Sequence, residues 1–451
     1  MISCRAALQM PGTGLRRVAV FPGTISYALL LLFIIVLYSN PGMLITKLAA
    51  FGPSQIVGGL AVAALAFEKM KNREGTWFVW PHSYLFAALI WTAGLSSFTA
   101  IWPRISSAAT IDLVKYFIIY LVIVNSVNSI SRLKGVLWTL VLAGLFPCFG
   151  ALYNYAIGNL QAGERAHWVG IFANSNDLAY SVVLLVPLAF ALLDGLSRLQ
   201  RPFLWGVIAL YIATICITFS RGSVIGLMAV LLLIGVRHRS GSIRLVTFGA
   251  IAASLIFVTF FWFREQGFSD LADVTLQQRL IQVRAGLEMF LDRPLLGVGL
   301  GGSVAAFQLY APQSLEFTGS FVVHNTFILA LSELGLFGCL FFVLFVATGF
   351  IDARRIVRAE GAEYLAAETS GDTRKEEGPS AHFRRNPRST RQPSTAILVD
   401  GIATALCGYI VCGLFGPYLM SWLPFILVGL VSAMIKMRQQ DRAGDTARDS
   451  L

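Results

Sequence analysis

The chain has 451 residues, of which 56% are hydrophobic and only 13% charged, with a mean hydropathy of +0.70. A water-soluble domain carries about 25% charged residues, so this much apolar surface excludes a water-facing globule and requires lipid as solvent. The formal net charge of +11 comes without a basic patch interleaved with exposed aromatics, which argues against a nucleic-acid partner and for Lys and Arg placed in cytoplasmic loops.

A helix needs about 20 apolar residues to cross the hydrocarbon core. On that basis the sequence predicts about twelve spans, at 18–38, 54–68, 83–102, 108–128, 135–157, 171–193, 203–219, 222–236, 245–263, 326–350, 396–415 and 419–435. The fold class expected is all-α, a polytopic transmembrane helix bundle with a folded helical extracytoplasmic loop. Arg16 and Arg17 precede the first span without a small-residue cleavage site, so that span is read as uncleaved. With the N-terminus inside, the inner loops collect Lys69, Lys71 and Arg73, then Arg132 and Lys134, Arg198 and Arg201, Arg237, Arg239 and Arg244, Arg354, Arg355 and Arg358, and Lys436 and Arg438. The short outer loops carry little beyond Lys47, Arg104 and Arg165. This asymmetry follows the positive-inside rule and puts both termini in the cytoplasm.

The resulting organisation is a cytoplasmic N-terminus at 1–17, nine spans within 18–263, a large periplasmic loop at 264–325, a tenth span at 326–350, a cytoplasmic loop at 351–395, two further spans within 396–435 and a cytoplasmic tail at 436–451. The loop at 351–395 lacks a periodic apolar pattern and reads as mostly disordered after a short helical start. The outer loop differs: Leu276, Leu280, Val283, Leu287 and Phe290 or Leu291 recur at three- and four-residue steps, one apolar face of a helix lying against the membrane. Pro294 ends that helix, and Gly297 to Gly302 form a tight turn. A dinucleotide fingerprint is not supported there, since no strand–helix context surrounds the glycines.

Topology filters the candidate chemistry. Of five histidines, only His167 and His324 face outward. His324 opens the tenth span, where it is either a helix-end residue beside Asn325 or a general base suited to neutral pH. Arg221 stands between two apolar runs at the outer surface. It either snorkels to the interface or offers its planar fork of donors to phosphate oxygens. Arg165, Arg279, Arg284 and Arg293 are further outer cations, and Arg284 is four residues from Glu288, a spacing that also suits a simple ion pair. If several arginines converge, the anion within reach is a lipid phosphate or diphosphate. Glu333 lies nine residues, about 13 Å, beyond His324 on the opposite helix face, which suits a buried packing role beside Gly335 and Gly338. The six cysteines form no CxxC pair and the outer acids no DxD-like cluster, so no metal and no cofactor is expected.

Four segments, in this order, resemble the O-antigen ligase and polymerase superfamily: Gly170-Ile-Phe-Ala-Asn-Ser-Asn-Asp-Leu-Ala179, similar to "GxFxNPNxxA" with Ser175 in place of Pro; Ser220-Arg-Gly-Ser-Val-Ile-Gly-Leu227, similar to "SRGxxxGL"; the run from Arg279 to Asp292-Arg-Pro-Leu-Leu-Gly-Val-Gly-Leu-Gly301; and His324-Asn325 through Glu333-Leu-Gly-Leu-Phe-Gly338. The resemblance implies a metal-independent membrane glycosyltransferase of the bacterial inner membrane with its active site facing the periplasm. Its donor would be an undecaprenyl-diphosphate-linked glycan and its acceptor lipid A-core or polysaccharide. It also implies catalytic roles for Arg221 and His324 and diphosphate contacts for Arg165 and Arg279; Asn325 and Arg284 are further candidate substrate-binding residues. An exopolysaccharide or O-antigen polymerase and a protein O-oligosaccharyltransferase share these features. A secondary transporter is the alternative of another class, against which stand the absence of an internal repeat and the clustering of motifs at the outer face.

Overall fold

The computed structural model describes residues 24–449 apart from positions 50, 74–76, 162–164, 238–240, 266–270, 312–320 and 374–393. The expected N-terminal segment 1–17, the start of the first span, Cys4, His238, Arg239 and His382 lie outside the described residues. The helices in chain order are α1 (Thr24–Ser39), two single turns α2 (Pro41–Leu44) and α3 (Thr46–Ala49), α4 (Pro53–Asn72), α5 (His82–Thr99), α6 (Pro103–Ser126), α7 (Ile130–Ala143) and α8 (Leu145–Ala156). They continue with α9 (Ser175–Leu192), α10 (Arg201–Ile217), α11 (Arg221–Arg237), α12 (Gly241–Glu265), α13 (Leu271–Asp292), α14 (Ser303–Tyr310), α15 (Thr326–Thr373), α16 (Ser394–Gly413) and α17 (Leu423–Asp449).

The molecule is an all-α membrane protein. Each of the twelve apolar segments expected from sequence falls on a helix, with 135–157 shared between α7 and α8. Among the described residues six helical stretches are long and apolar enough to cross a membrane, at Thr24–Leu44, Pro103–Ser126, Ile130–Ala156, Ser175–Gly195, Thr326–Ala362 and Thr395–Gly413, and Arg201–Ile217 and Gly241–Ile256 are shorter apolar helices. Large apolar side chains stand uncovered on the outside of the bundle, Phe98 at 87% exposure and Trp91 at 71%, as lipid-facing residues do.

At the centre is α9, every residue of which is buried except Asn176 and Asp177 in its first turn. It packs between α16, α10, α11 and α7. Small residues allow the approach of α11 to its neighbours: a Cβ at Gly222 would fall on Phe415 and the Tyr180 hydroxyl, and one at Gly226 on the Cys412 sulfur. The "SRGxxxG" spacing is thus a small-residue stripe at i, i+4. Charged pairs gather at the far end of α11, where Arg237 and Arg354 both bond Asp400. Sixteen residues, about 24 Å of helix, separate that end from Arg221.

One element differs from expectation, and another packs through residues the sequence did not single out. The tenth span does not give way to a loop near 351; α15 runs on to Thr373, because the following stretch is rich in Ala, Glu and Arg, all strong helix formers. The rest of that expected loop, 374–393, lies outside the described residues. In α13 the predicted apolar face is left uncovered by protein, in keeping with a face turned to the membrane: Leu280, Leu287 and Leu291 are exposed, whereas Gln282, Ala285 and Met289 are buried on the other side. Gly286 allows contact with Ile328 and Val323 at that same face. With Val298, Ala306 and Phe307, Ala285 and Met289 form a small core of their own. In a membrane protein an apolar stripe marks a face left to lipid as readily as a face turned to protein.

Candidate functional site

Arg165 is presented by a loop that is tied down on both sides. Gln161 and Arg165 exchange backbone hydrogen bonds across it, and the Gln161 side chain accepts from Ser175 N–H and Oγ. The next residue, Ala166, donates its N–H to the Ile217 carbonyl, at the end of α10 where carbonyls lack helical partners. Arg165 itself donates through Nε to the Thr218 carbonyl at 2.9 Å and through an Nη to Asn176 Oδ1 at 2.6 Å. The asparagine-rich segment therefore serves two purposes: Asn174 caps α9 by accepting from Asn176 N–H, and Asn176 fixes a guanidinium.

The turn from α10 into α11 places Arg221. Phe219 adopts φ 48°, a left-handed conformation uncommon for a bulky residue and typical of functional turns. It reverses the chain within three residues and sets Arg221 at the start of α11, beside Ser220 and Ser223, whose hydroxyls bond each other at 2.7 Å.

Helix α13 brings in Arg279, and the loop before α15 brings in His324. Asn325 caps α15: its Oδ1 accepts from Phe327 and Ile328 N–H, both at 3.0 Å, and its amide donates to the Leu414 carbonyl. This cap fixes His324 immediately before the helix. His324 Nδ1 donates to the Val322 carbonyl and to Gln282 Oε1, each at 2.9 Å.

These four residues come from four separate parts of the chain and share one electrostatic neighbourhood. Burial lowers the pKa of Arg165, and the positive charges of Arg279 and Arg221 push it the same way, with Tyr180 opposing. Arg279 also acts on Arg221. Burial lowers the His324 pKa below its ordinary 6.5; the bond to Val322 opposes this, and the cations Arg279 and Arg165 add to it. No carboxylate is among the groups shifting Arg165 or His324; Asp177 acts beside Arg279 on the neighbouring Tyr180, so among the described residues cations outnumber the carboxylate here. Such a place favours a multiply charged anion.

Arg284 does not join the group. It lies about 140° around α13 from Arg279, is largely exposed and pairs with Glu288 at 3.3 Å. An exposed i,i+4 pair contributes about 0.3–0.5 kcal/mol, so Arg284→Ala is expected to leave transfer activity within about two-fold of the parent, measured on purified protein beside Arg279→Ala. Glu333 is likewise structural: it accepts from Gly301 N–H at 2.8 Å, Ser303 N–H at 3.2 Å and Ser303 Oγ at 2.6 Å. Reasoning from sequence did not single out Gln282, and it met Asn176 only as part of the Gly170–Ala179 segment. Uncharged amides on helices carry no pattern that sets them apart from a solvated face.

Residues 206–343 match the O-antigen ligase family. The matched stretch contains Arg221, Arg279, Gln282, His324 and Glu333, together with three of the four segments named above, and it supports placing the chain in the O-antigen ligase and polymerase superfamily. Arg165 and the Gly170–Ala179 segment lie before the match. None of the curated proteins matches the chain. Members of this family are glycosyltransferase-like enzymes, acting in general on lipid-linked glycans and polysaccharide or lipid A-core.

Proposed function

We propose that the protein is an O-antigen ligase-like glycosyltransferase of a bacterial inner membrane, moving a glycan from an undecaprenyl-diphosphate carrier to a hydroxyl of lipid A-core or of a growing polysaccharide at the periplasmic face. The observation that supports this reading is the shared neighbourhood of Arg165, Arg221 and Arg279, of which Arg279 and Arg165 also act on His324. The face is inferred from charge: the short inner loops hold more Lys and Arg than the short outer ones, and the site lies at the other end of α11 from Arg237 and Asp400.

In this mechanism the three guanidiniums hold the donor's diphosphate and stabilise the negative charge that grows on it as the bond to the sugar breaks, an electrostatic contribution already in place before reaction. The imidazole of His324 takes the proton of the acceptor hydroxyl. The hydroxyl oxygen bonds to the anomeric carbon, the anomeric carbon–oxygen bond to phosphate breaks, and undecaprenyl diphosphate leaves with the electron pair. A single displacement inverts the anomeric centre. The cations beside His324 help keep it neutral near pH 7, the form a base requires.

The test is reconstitution in proteoliposomes with an undecaprenyl-diphosphate-linked glycan and an acceptor glycolipid. The expected result is a stoichiometric rise of glycosylated acceptor and free undecaprenyl diphosphate. Because the neutral imidazole is the active form and its pKa is lowered, the rate should stay level through neutral pH and fall only as pH drops through a value below 6.5. Release of neither product by folded protein, or solute flux without any lipid-linked donor, overturns the reading.

A further inference from the structure

Gln282 follows Arg279 by three residues on α13, so both side chains lie on neighbouring positions of one helix face. The residue is buried, at 4% exposure, and a buried amide needs partners. Its Oε1 lies 2.9 Å from Nδ1 of His324, and the Val322 carbonyl lies at the same distance from that nitrogen. A backbone carbonyl can only accept. Nδ1 must therefore carry the hydrogen, and the amide must turn its oxygen, not its nitrogen, toward the ring. In the neutral imidazole the remaining nitrogen, Nε2, then holds the lone pair.

We propose that Gln282 is a positioning residue for the transfer reaction: by accepting the Nδ1 hydrogen it holds His324 as the tautomer whose Nε2 takes the proton of the acceptor hydroxyl. This rests on the reading of His324 as the base. The choice of an amide over a carboxylate has a physical consequence. A carboxylate at this place would stabilise the imidazolium and so keep the base occupied by a proton near neutral pH. It would also draw on Arg279, one helical turn away, and compete with the donor diphosphate. The charged groups that face His324 are Arg279 from α13 and Arg165 from the loop before α9, both cations. A neutral acceptor orients the ring without disturbing that balance. When Nε2 is protonated during reaction, the two bonds at Nδ1 become charge-assisted and strengthen.

The experiment measures kcat and KM against pH for the parent, Gln282→Leu and Gln282→Glu, each purified in detergent and assayed with the lipid-linked glycan donor. Thermal unfolding is followed to confirm that each variant is folded. Gln282→Leu should lower kcat by about 10–100-fold with donor KM within about two-fold, since no group that touches donor is removed. In Gln282→Glu the acid limb should move to higher pH by about one unit or more, and kcat should recover toward the parent above that limb, where the carboxylate holds the same tautomer. A merely structural amide would give neither the displaced limb nor the recovery. An acid limb in Gln282→Glu at the parent's position, or a parent-like kcat in Gln282→Leu, overturns the proposal. His324→Ala run alongside separates the two failures. If it retains transfer, the base reading falls and this proposal with it; if it is inactive while the Gln282→Glu limb stays in place, only the role of Gln282 falls.

Discussion

His324→Ala and Arg221→Ala are expected to abolish measurable glycan transfer while leaving the protein folded. A positioned general base contributes about 10²–10⁴-fold, and removing one preorganised donor to developing charge costs about 10²–10³-fold. The packing around both positions is set by other residues. His324 lies in a loop whose following helix is capped by Asn325, and the close packing of α11 runs through Gly222 and Gly226. The two losses should differ in kind. Removal of the base lowers kcat with little change in donor KM. Removal of the guanidinium raises donor KM as well, because the diphosphate is charged before it leaves. The double variant should be little worse than the poorer single one, since groups acting in one step are not additive. Expression, a size-exclusion profile and transfer assays on the three variants check this, and retained transfer in both single variants removes the mechanism.

Gly335→Ala should do the opposite, losing folded protein whatever becomes of chemistry. Helix α15 is interrupted at Gly335, which takes φ 64° and ψ −164°, a region open to glycine almost alone. The break frees carbonyls that a continuous helix would have used internally. Ser332 and Glu333 carbonyls accept instead from Val298 and Gly299 N–H at 2.8 and 3.0 Å, and Leu336 N–H donates to the Pro294 carbonyl at 2.8 Å. Ser96 Oγ adds a bond to the Leu296 carbonyl at 2.6 Å. The glycine turn of the large loop is thus laced into the break. A Cβ at Gly335 would fall on the backbone of Leu295 and Leu296, and one at Gly297 on the backbone of Glu333 and Leu334. Backbone strain of about 1–3 kcal/mol adds to about 1–3 kcal/mol for each buried polar group left unpaired, so a loss of about 4 kcal/mol or more is expected. Thermal unfolding in detergent measures it: Gly335→Ala should be recovered poorly or melt far below Arg221→Ala, and an unchanged melting temperature would show that the break is not needed.

The interlock also explains why the two halves of the pattern occur together. The "DRPLLGVGLG" run and the "ELG" run are more than 30 residues apart, yet each supplies the hydrogen-bond partners the other lacks. The Glu333 carboxylate closes the same joint by accepting from Gly301 and Ser303. By carrying α13 at its near end, the joint also sets where Arg279 and Gln282 come to rest.

The sequence by itself determined the class of molecule and the positions of the helices, because burial in lipid is decided residue by residue: a run of apolar side chains is apolar wherever it sits. It also marked Arg165, Arg221, Arg279 and His324, since charge near lipid is costly and stands out against that background. Tertiary structure alone decided that α13 packs on the protein through Gln282, Ala285 and Met289, because hydrophobic periodicity marks the apolar face and not the residues that the opposite face buries. It alone decided that Arg284 turns away, that α15 breaks at Gly335, and that an amide on one helix holds the ring of a histidine 42 residues later. Those outcomes depend on which distant backbone groups meet, and a hydrogen bond between them leaves no local signature in the chain.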